Sequence, residues 1–108
     1  MRHLLQVSSR AMPGRDADYD RWYTEVHVWD VLALPGFLSC ERFRRTVVGG
    51  NGESDFVAIY EVETDDPAAL LQSLFEAAPK MQMTDAIDAT SARFEFLAPL
   101  GGRYLKKS

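Results

Sequence analysis

FLSCERFRRTVVGGNGESDFVAIYEVE, residues 37–63, sets two runs rich in aromatic and β-branched residues on either side of Gly49-Gly50-Asn51-Gly52. An Asn-Gly step between two such runs is a strong hairpin signal, because both residues tolerate the positive φ that a tight turn needs. Residues 37–48 and 55–63 are therefore predicted as paired strands. In the return strand Phe56, Ala58, Tyr60 and Val62 point one way, and Val57, Ile59 and Glu61 the other.

On each side of the hairpin lies a helical pattern, and beyond each helix a further strand. Residues 16–34 contain no Gly or Pro, begin with an acidic residue and run into Pro35-Gly36. At 100° per residue Tyr19, Trp22, Tyr23, Val26, Trp29 and Ala33 share one face. Val28, Val31 and Leu32 are apolar but fall off that face. The expectation is a break near Val28, with Asp30 capping a restarted short helix, because an unpaired charge inside the apolar stripe is costly. Downstream, Asp65-Asp66-Pro67 opens a second helix with an acidic cap and a proline at its first position. Its stripe is Leu70, Leu71, Leu74, Phe75 and Ala78, and Pro79 ends it.

The outer strands are 4–10, which stops at Met12-Pro13-Gly14, and 92–97, where Phe94 and Phe96 alternate with Arg93 and Glu95. Residues 80–90 read equally as a short helix or a loop. The order is β-α-β-β-α-β, the ferredoxin-like arrangement of an α+β protein with a four-stranded antiparallel sheet. Residues 1–102 are expected to form one domain and 103–108 a basic tail. Both sheet faces carry large apolar groups and one helical layer covers only one. A second copy of the sheet is the expected cover, giving a homodimer.

Composition narrows the function. At 108 residues, 46% hydrophobic and 26% charged, the chain has the make-up of one globular domain. A net charge of −4 argues against nucleic acid or an anionic membrane as partner. No run is long and apolar enough to span a bilayer, and no secretory leader opens the chain, so a cytoplasmic setting is expected. The single Cys40 cannot close an intrachain disulfide, and two histidines cannot complete a CxxC…HxxH zinc site. Asp85 and Asp88 lack neighbouring histidines, so no metal is expected, and Cys40 and His3 are expected to have no special chemistry. No phosphate-cradling glycine loop precedes a helix, which favours a reading without cofactor.

The stretch PGRDADYDRWYTEVHVWDVLALPGF, residues 13–37, resembles the N-terminal signature of EthD-like proteins of the dimeric α+β barrel superfamily. The shared features are an acidic and Arg-rich helix start, a W-Y-x-E-x-H run and an LPG turn into the second strand. ERFR (41–44), AIYEVETDDPAAL (58–70) and MTDAID (83–88) are similar to that group as well. The resemblance implies a dimeric barrel whose relatives include cofactor-free monooxygenases, polyketide cyclases and lactone isomerases. It also marks one departure: Trp29 stands where the family often has proline two residues after the histidine.

His27 is the leading catalytic candidate, with Tyr23 one turn before it and Asp30 three residues after. A histidine so placed could act as a general base, with Asp30 fixing its tautomer and Tyr23 donating to a developing oxyanion. The structural alternative is that His27 bonds a backbone carbonyl while Asp30 caps the next turn. Trp22, Trp29, Tyr60, Phe94 and Met81 are the candidate ligand-binding residues, with Met83 on a pocket rim; each could equally be core packing. Arg42, Arg44 and Arg45 could hold an anion, or pair across strands with Glu41, Glu61 or Glu95. Two functions remain open. One is a cofactor-free enzyme of cyclase, isomerase, lyase or monooxygenase type acting on a small hydrophobic or aromatic carbonyl compound. The other is a non-catalytic dimer that binds a metabolite or assists a pathway. Haem binding finds no histidine on the second helix to support it.

Overall fold

The computed structural model describes residues 1–49 and 54–108. Strands β1 (Arg2–Ala11), β2 (Phe37–Thr46), β3 (Ser54–Glu63) and β4 (Ile87–Leu97) form one antiparallel sheet in the order β2-β3-β1-β4. Helical segments α1 (Asp16–Trp22) and α2 (Val28–Leu32) follow β1, and α3 (Pro67–Ala77) follows β3. This is the ferredoxin-like α+β arrangement. The strands of the expected hairpin pair as read, with Cys40 opposite Tyr60 and Arg42 opposite Ala58. The Gly50-Asn51-Gly52 part of its turn lies outside the described residues.

The period-2 pattern separates the two faces cleanly. Leu5, Phe56, Ala58, Tyr60 and Val62 face the helices and join Tyr19, Trp22, Tyr23, Val31, Leu70 and Leu74 in one buried core. The opposite face is laid out in rows that cross the sheet: Leu97, Leu4, Glu61 and Ser39, then Glu95, Gln6, Ile59 and Glu41, then Arg93, Ser8, Val57 and Phe43. Apolar and charged side chains alternate there, and Leu4, Phe43 and Leu97 are exposed. Among the described residues no helix is long and apolar enough to cross a membrane.

The expected helix break near Val28 does not occur. α1 and α2 are joined without interruption by a single π-helical turn, Tyr23–His27, closed by the bond from the Val28 N–H to the Tyr23 carbonyl. A π turn inserts one residue into the α ladder and so rotates everything beyond it by about 100°. That rotation resolves the conflict in the periodicity. Val31 is only 2% exposed, and Val28 and Leu32 pack on the core, while Trp29 swings out to 63% exposure. Asp30 is accordingly no N-cap; it sits in the first turn of α2, following helical His27.

Two further expectations are corrected. Part of the undecided 80–90 stretch belongs to the sheet, for β4 begins at Ile87, and Arg10 and Ala11 pair with Asp88 and Ile87 across a register shift. Side chains hold this irregular part: Ser91 Oγ accepts from the Arg10 N–H and donates to the Asp88 carbonyl. The arginines of β2 do not pair with Glu41, Glu61 or Glu95. Arg45 grips Asp55 with two bonds of 2.7 and 2.9 Å, while Arg42 and Arg44 reach Asp20 and Asp16 on α1. The reason is their face: positions 42 and 44 point at the helices, where the acidic first helix lies above them.

The turn from α2 into β2 depends on Gly36. Its φ of +89° suits glycine, and a Cβ there would stand 3.0 Å from Leu70 Cδ1 and 3.1 Å from the Glu63 carbonyl oxygen.

Candidate functional site

Between the π turn, the helix-facing side of the sheet and α3 lies a cavity of about 150 Å³. Val7, Leu74, Ala78, Ile87 and Ala92 give it apolar walls, and Phe75, Met81, Met83 and Phe94 complete them. Its polar residues are Ser9, Tyr23, His27 and Tyr60, with the Trp22 indole beside them. Of the residues singled out from sequence, Tyr23, His27, Trp22, Tyr60, Phe94 and Met81 all line this one space. They come from α1 and the π turn, central strand β3, edge strand β4 and the segment before β4, so the fold alone brings them together.

Tyr60 sits on central strand β3 and is 1% exposed. Its hydroxyl lies 2.6 Å from that of Tyr23, which the π turn points down at the sheet. Cys40 stands opposite Tyr60 on β2. Burial pushes both phenols well above the ordinary tyrosine range, so they remain neutral hydroxyls. The Arg42 guanidinium lies over the Tyr23 ring, 4.5 Å from its centroid, while pairing with Asp20 at 2.7 Å. The sequence reading offers Arg42 an anion or a cross-strand carboxylate as partner. Its position on the helix-facing side of β2 was the signal that it meets Tyr23.

The His27 ring stacks on Trp22 with centroids 4.5 Å apart and planes 19° from parallel. It meets the Tyr23 ring edge-on at 4.9 Å. Trp22 is anchored in turn by its indole N–H, which donates to the Gln82 carbonyl at 2.8 Å. His27 Nδ1 is buried and has no hydrogen-bond partner, which leaves Nε2 as the nitrogen through which the ring could meet a ligand. Burial lowers the imidazole below the ordinary histidine value, and the charge of Asp30 offsets this only in part. The imidazole is therefore held neutral. Asp30 reaches it through its field and does not hydrogen-bond Nδ1, so the tautomer-fixing role expected of Asp30 has no counterpart in the geometry.

Trp29 is corrected outright as a pocket wall. The π turn carries it to the outside, where its indole N–H donates to the Thr24 carbonyl at 3.1 Å. It thus serves a carbonyl within the widened turn. Ser9, which sequence reasoning passed over, lines the cavity and bonds the Tyr19 hydroxyl. Among the described residues no group of three or more His, Cys, Asp or Glu side chains could hold a metal ion.

Comparison with solved structures places the fold. Over 91% of this chain and 99% of the other, it is similar to an EthD family protein from Bacillus halodurans, with 17% identity and a TM-score of 0.58. Over the full length of both chains it is similar to a Bacillus cereus protein provisionally named an antibiotic biosynthesis monooxygenase (10% identity, TM-score 0.55). A provisionally named monooxygenase from Shewanella loihica matches over 94% and 99% of the two chains, at 16% identity and a TM-score of 0.53. No family model and no curated protein sequence matches the chain. The chain therefore shares the α+β fold of EthD-family and monooxygenase-like proteins, the fold its sequence resemblance implied.

Proposed function

We propose that this protein is a small enzyme that removes a proton next to the carbonyl group of a compact hydrophobic or aromatic compound. The observation that carries this reading is a neutral, buried imidazole beside a pair of neutral phenols in one small apolar cavity. In the tautomer that carries its hydrogen on Nδ1, a neutral His27 can accept the proton at Nε2 from the carbon beside the carbonyl. The electron pair of the broken C–H bond moves onto the carbonyl oxygen, giving an enolate that needs a donor. The hydroxyl chain provides one. If Tyr60 donates to Tyr23, the Tyr23 hydrogen remains for the ligand oxygen. Such a step is shared by isomerisation, ring closure and lyase chemistry, and by activation of a substrate towards oxygen. Similarity in fold to EthD-family and monooxygenase-like structures is compatible with each of them.

The catalytic group in this reading is His27 with Tyr23, and Asp30 tunes His27 by its charge. Trp22, Tyr60, Phe94 and Met81 shape the space. The functional unit is residues 1–102, with 103–108 a basic tail, and a homodimer is its assembly. The rows of exposed Leu4, Phe43 and Leu97 on the open sheet face support that assembly.

The test is hydrogen exchange. Acetophenone in deuterated buffer should exchange its methyl protons faster with the protein than without. His27→Gln should remove roughly 100-fold or more of that acceleration, the usual contribution of a general base. No acceleration by the unaltered protein, or full acceleration by His27→Gln, would sink the reading. A binding role without turnover is the second reading, favoured because Tyr23 and Tyr60 already satisfy each other. It requires acetophenone to bind without exchange.

A further inference from the structure

We infer that the ligand of this cavity is an uncharged, single-ring aromatic carrying one hydroxyl or carbonyl oxygen, an inference that rests on the cavity being the functional site as proposed above. Size comes first. A volume of about 150 Å³ equals that of engineered apolar cavities that hold one benzene, roughly 150 Å³. It falls well below the roughly 300–1,000 Å³ of sites for larger ligands. One ring with a short substituent fits; a fused second ring does not.

Charge comes second. Among the described residues no Asp, Glu, Lys or Arg lines the cavity. Arg42 lies behind the Tyr23 ring and is occupied by Asp20. A carboxylate or phosphate taken into this space would lose its water with no cation to replace it, which an apolar site strongly disfavours. Neutral polar groups are available, however, and they are close together: the hydroxyls of Tyr23 and Tyr60, and the His27 ring packed against Tyr23. They suit one oxygen on an otherwise apolar ring. The flat surfaces suit the ring itself, with Trp22 on one wall and Phe94 on another.

The two tryptophans make the test direct, because Trp22 lines the cavity and Trp29 stands outside it. Their indole N–H signals in a ¹⁵N-labelled sample, assigned with Trp29→Phe, are followed while phenol, benzaldehyde, benzoate and 1-naphthol are added in turn. Phenol and benzaldehyde should move the Trp22 signal saturably and leave that of Trp29 in place. Benzoate and 1-naphthol should bind at least tenfold more weakly. Leu74→Ala, which enlarges the cavity from the α3 side, should raise the affinity for 1-naphthol relative to phenol about tenfold. Should that variant fail to fold, Met81→Ala at the half-buried rim should shift the preference in the same direction. Equal binding of 1-naphthol and phenol, or of benzoate and benzaldehyde, would overturn the inference while leaving proton abstraction by His27 standing. A Trp22 signal that no probe moves would overturn both. Tight phenol binding in a protein that exchanges no acetophenone protons supports the inference and removes the enzymatic reading alone.

Discussion

α3 and the rod formed by α1, the π turn and α2 roof the same sheet by different means. α3 is regular for its whole length: Asp66 caps it by accepting from the Ala69 N–H, proline starts it, and Leu70 and Leu74 bury one stripe. The first rod has no side-chain cap at its start and changes phase midway. α3 contributes only apolar wall to the cavity, whereas the rod contributes Trp22, Tyr23 and His27. The regular helix keeps its pattern because only packing is asked of it. The irregular one turns two stretches of the same helix onto the core in different phases, and the chemistry-bearing side chains sit at the seam between them.

That contrast can be broken most severely by length. Inserting one alanine after Thr24 adds a further phase of about 100° beyond the π turn, and should bring Trp29 inward and rotate Val28, Val31 and Leu32 towards water. Each buried aliphatic side chain is worth about 1.5–3 kcal/mol, so the loss rivals a typical total stability of roughly 5–15 kcal/mol. The insertion is expected to abolish a cooperative urea transition. A transition within 1 kcal/mol (about a fivefold change in population) of the parent would refute the phase argument.

A smaller effect is expected where the rod meets the sheet. Tyr60→Phe strands the Tyr23 hydroxyl in a buried place, at a cost of about 1–3 kcal/mol. Tyr23→Phe together with Tyr60→Phe removes both hydroxyls and should recover part of that loss. Additive losses in the urea midpoints of this double-mutant cycle would show that the 2.6 Å contact contributes nothing to stability.

On the α3 side, Asp66→Ala should cost about 1 kcal/mol through the lost cap, seen as a lower thermal midpoint, with Asp66→Asn retaining most of it.

The smallest effect is that of pH. Since burial lowers the His27 pKa in the folded protein, the folded state binds fewer protons than the unfolded chain. Its full stability is present above about pH 6.5, the ordinary histidine value, and declines as pH falls through the folded value. His27→Gln should flatten this acid limb. An unchanged limb in the variant would assign the pH dependence to other groups.

The same contrast explains what could be read from the sequence. α3 was legible because cap, proline and stripe agree, and β3 because alternation is strict. The rod was legible as far as Tyr23 and misread beyond it. A one-residue phase change looks like a break in any fixed-period reading, which is why Trp29 was placed in the pocket and Asp30 at a cap. The start of β4 was obscure because Ile87 to Ser91 lacks alternation and is held by the Ser91 and Asp88 side chains. The grouping of Tyr23, His27 and Tyr60 around one space was half legible. Tyr23 and His27 are helical neighbours, but the Tyr23–Tyr60 contact spans 37 residues. The smallness of the cavity, set by Leu74 and its neighbours, left no trace in the pattern at all.

The near-parallel stack of His27 on Trp22 has an optical consequence. A protonated imidazole quenches the emission of an indole in contact with it far more than a neutral one does, so Trp22 fluorescence should dim on acidification. The molecule thus carries its own gauge of whether this imidazole is protonated or neutral, readable without any substrate.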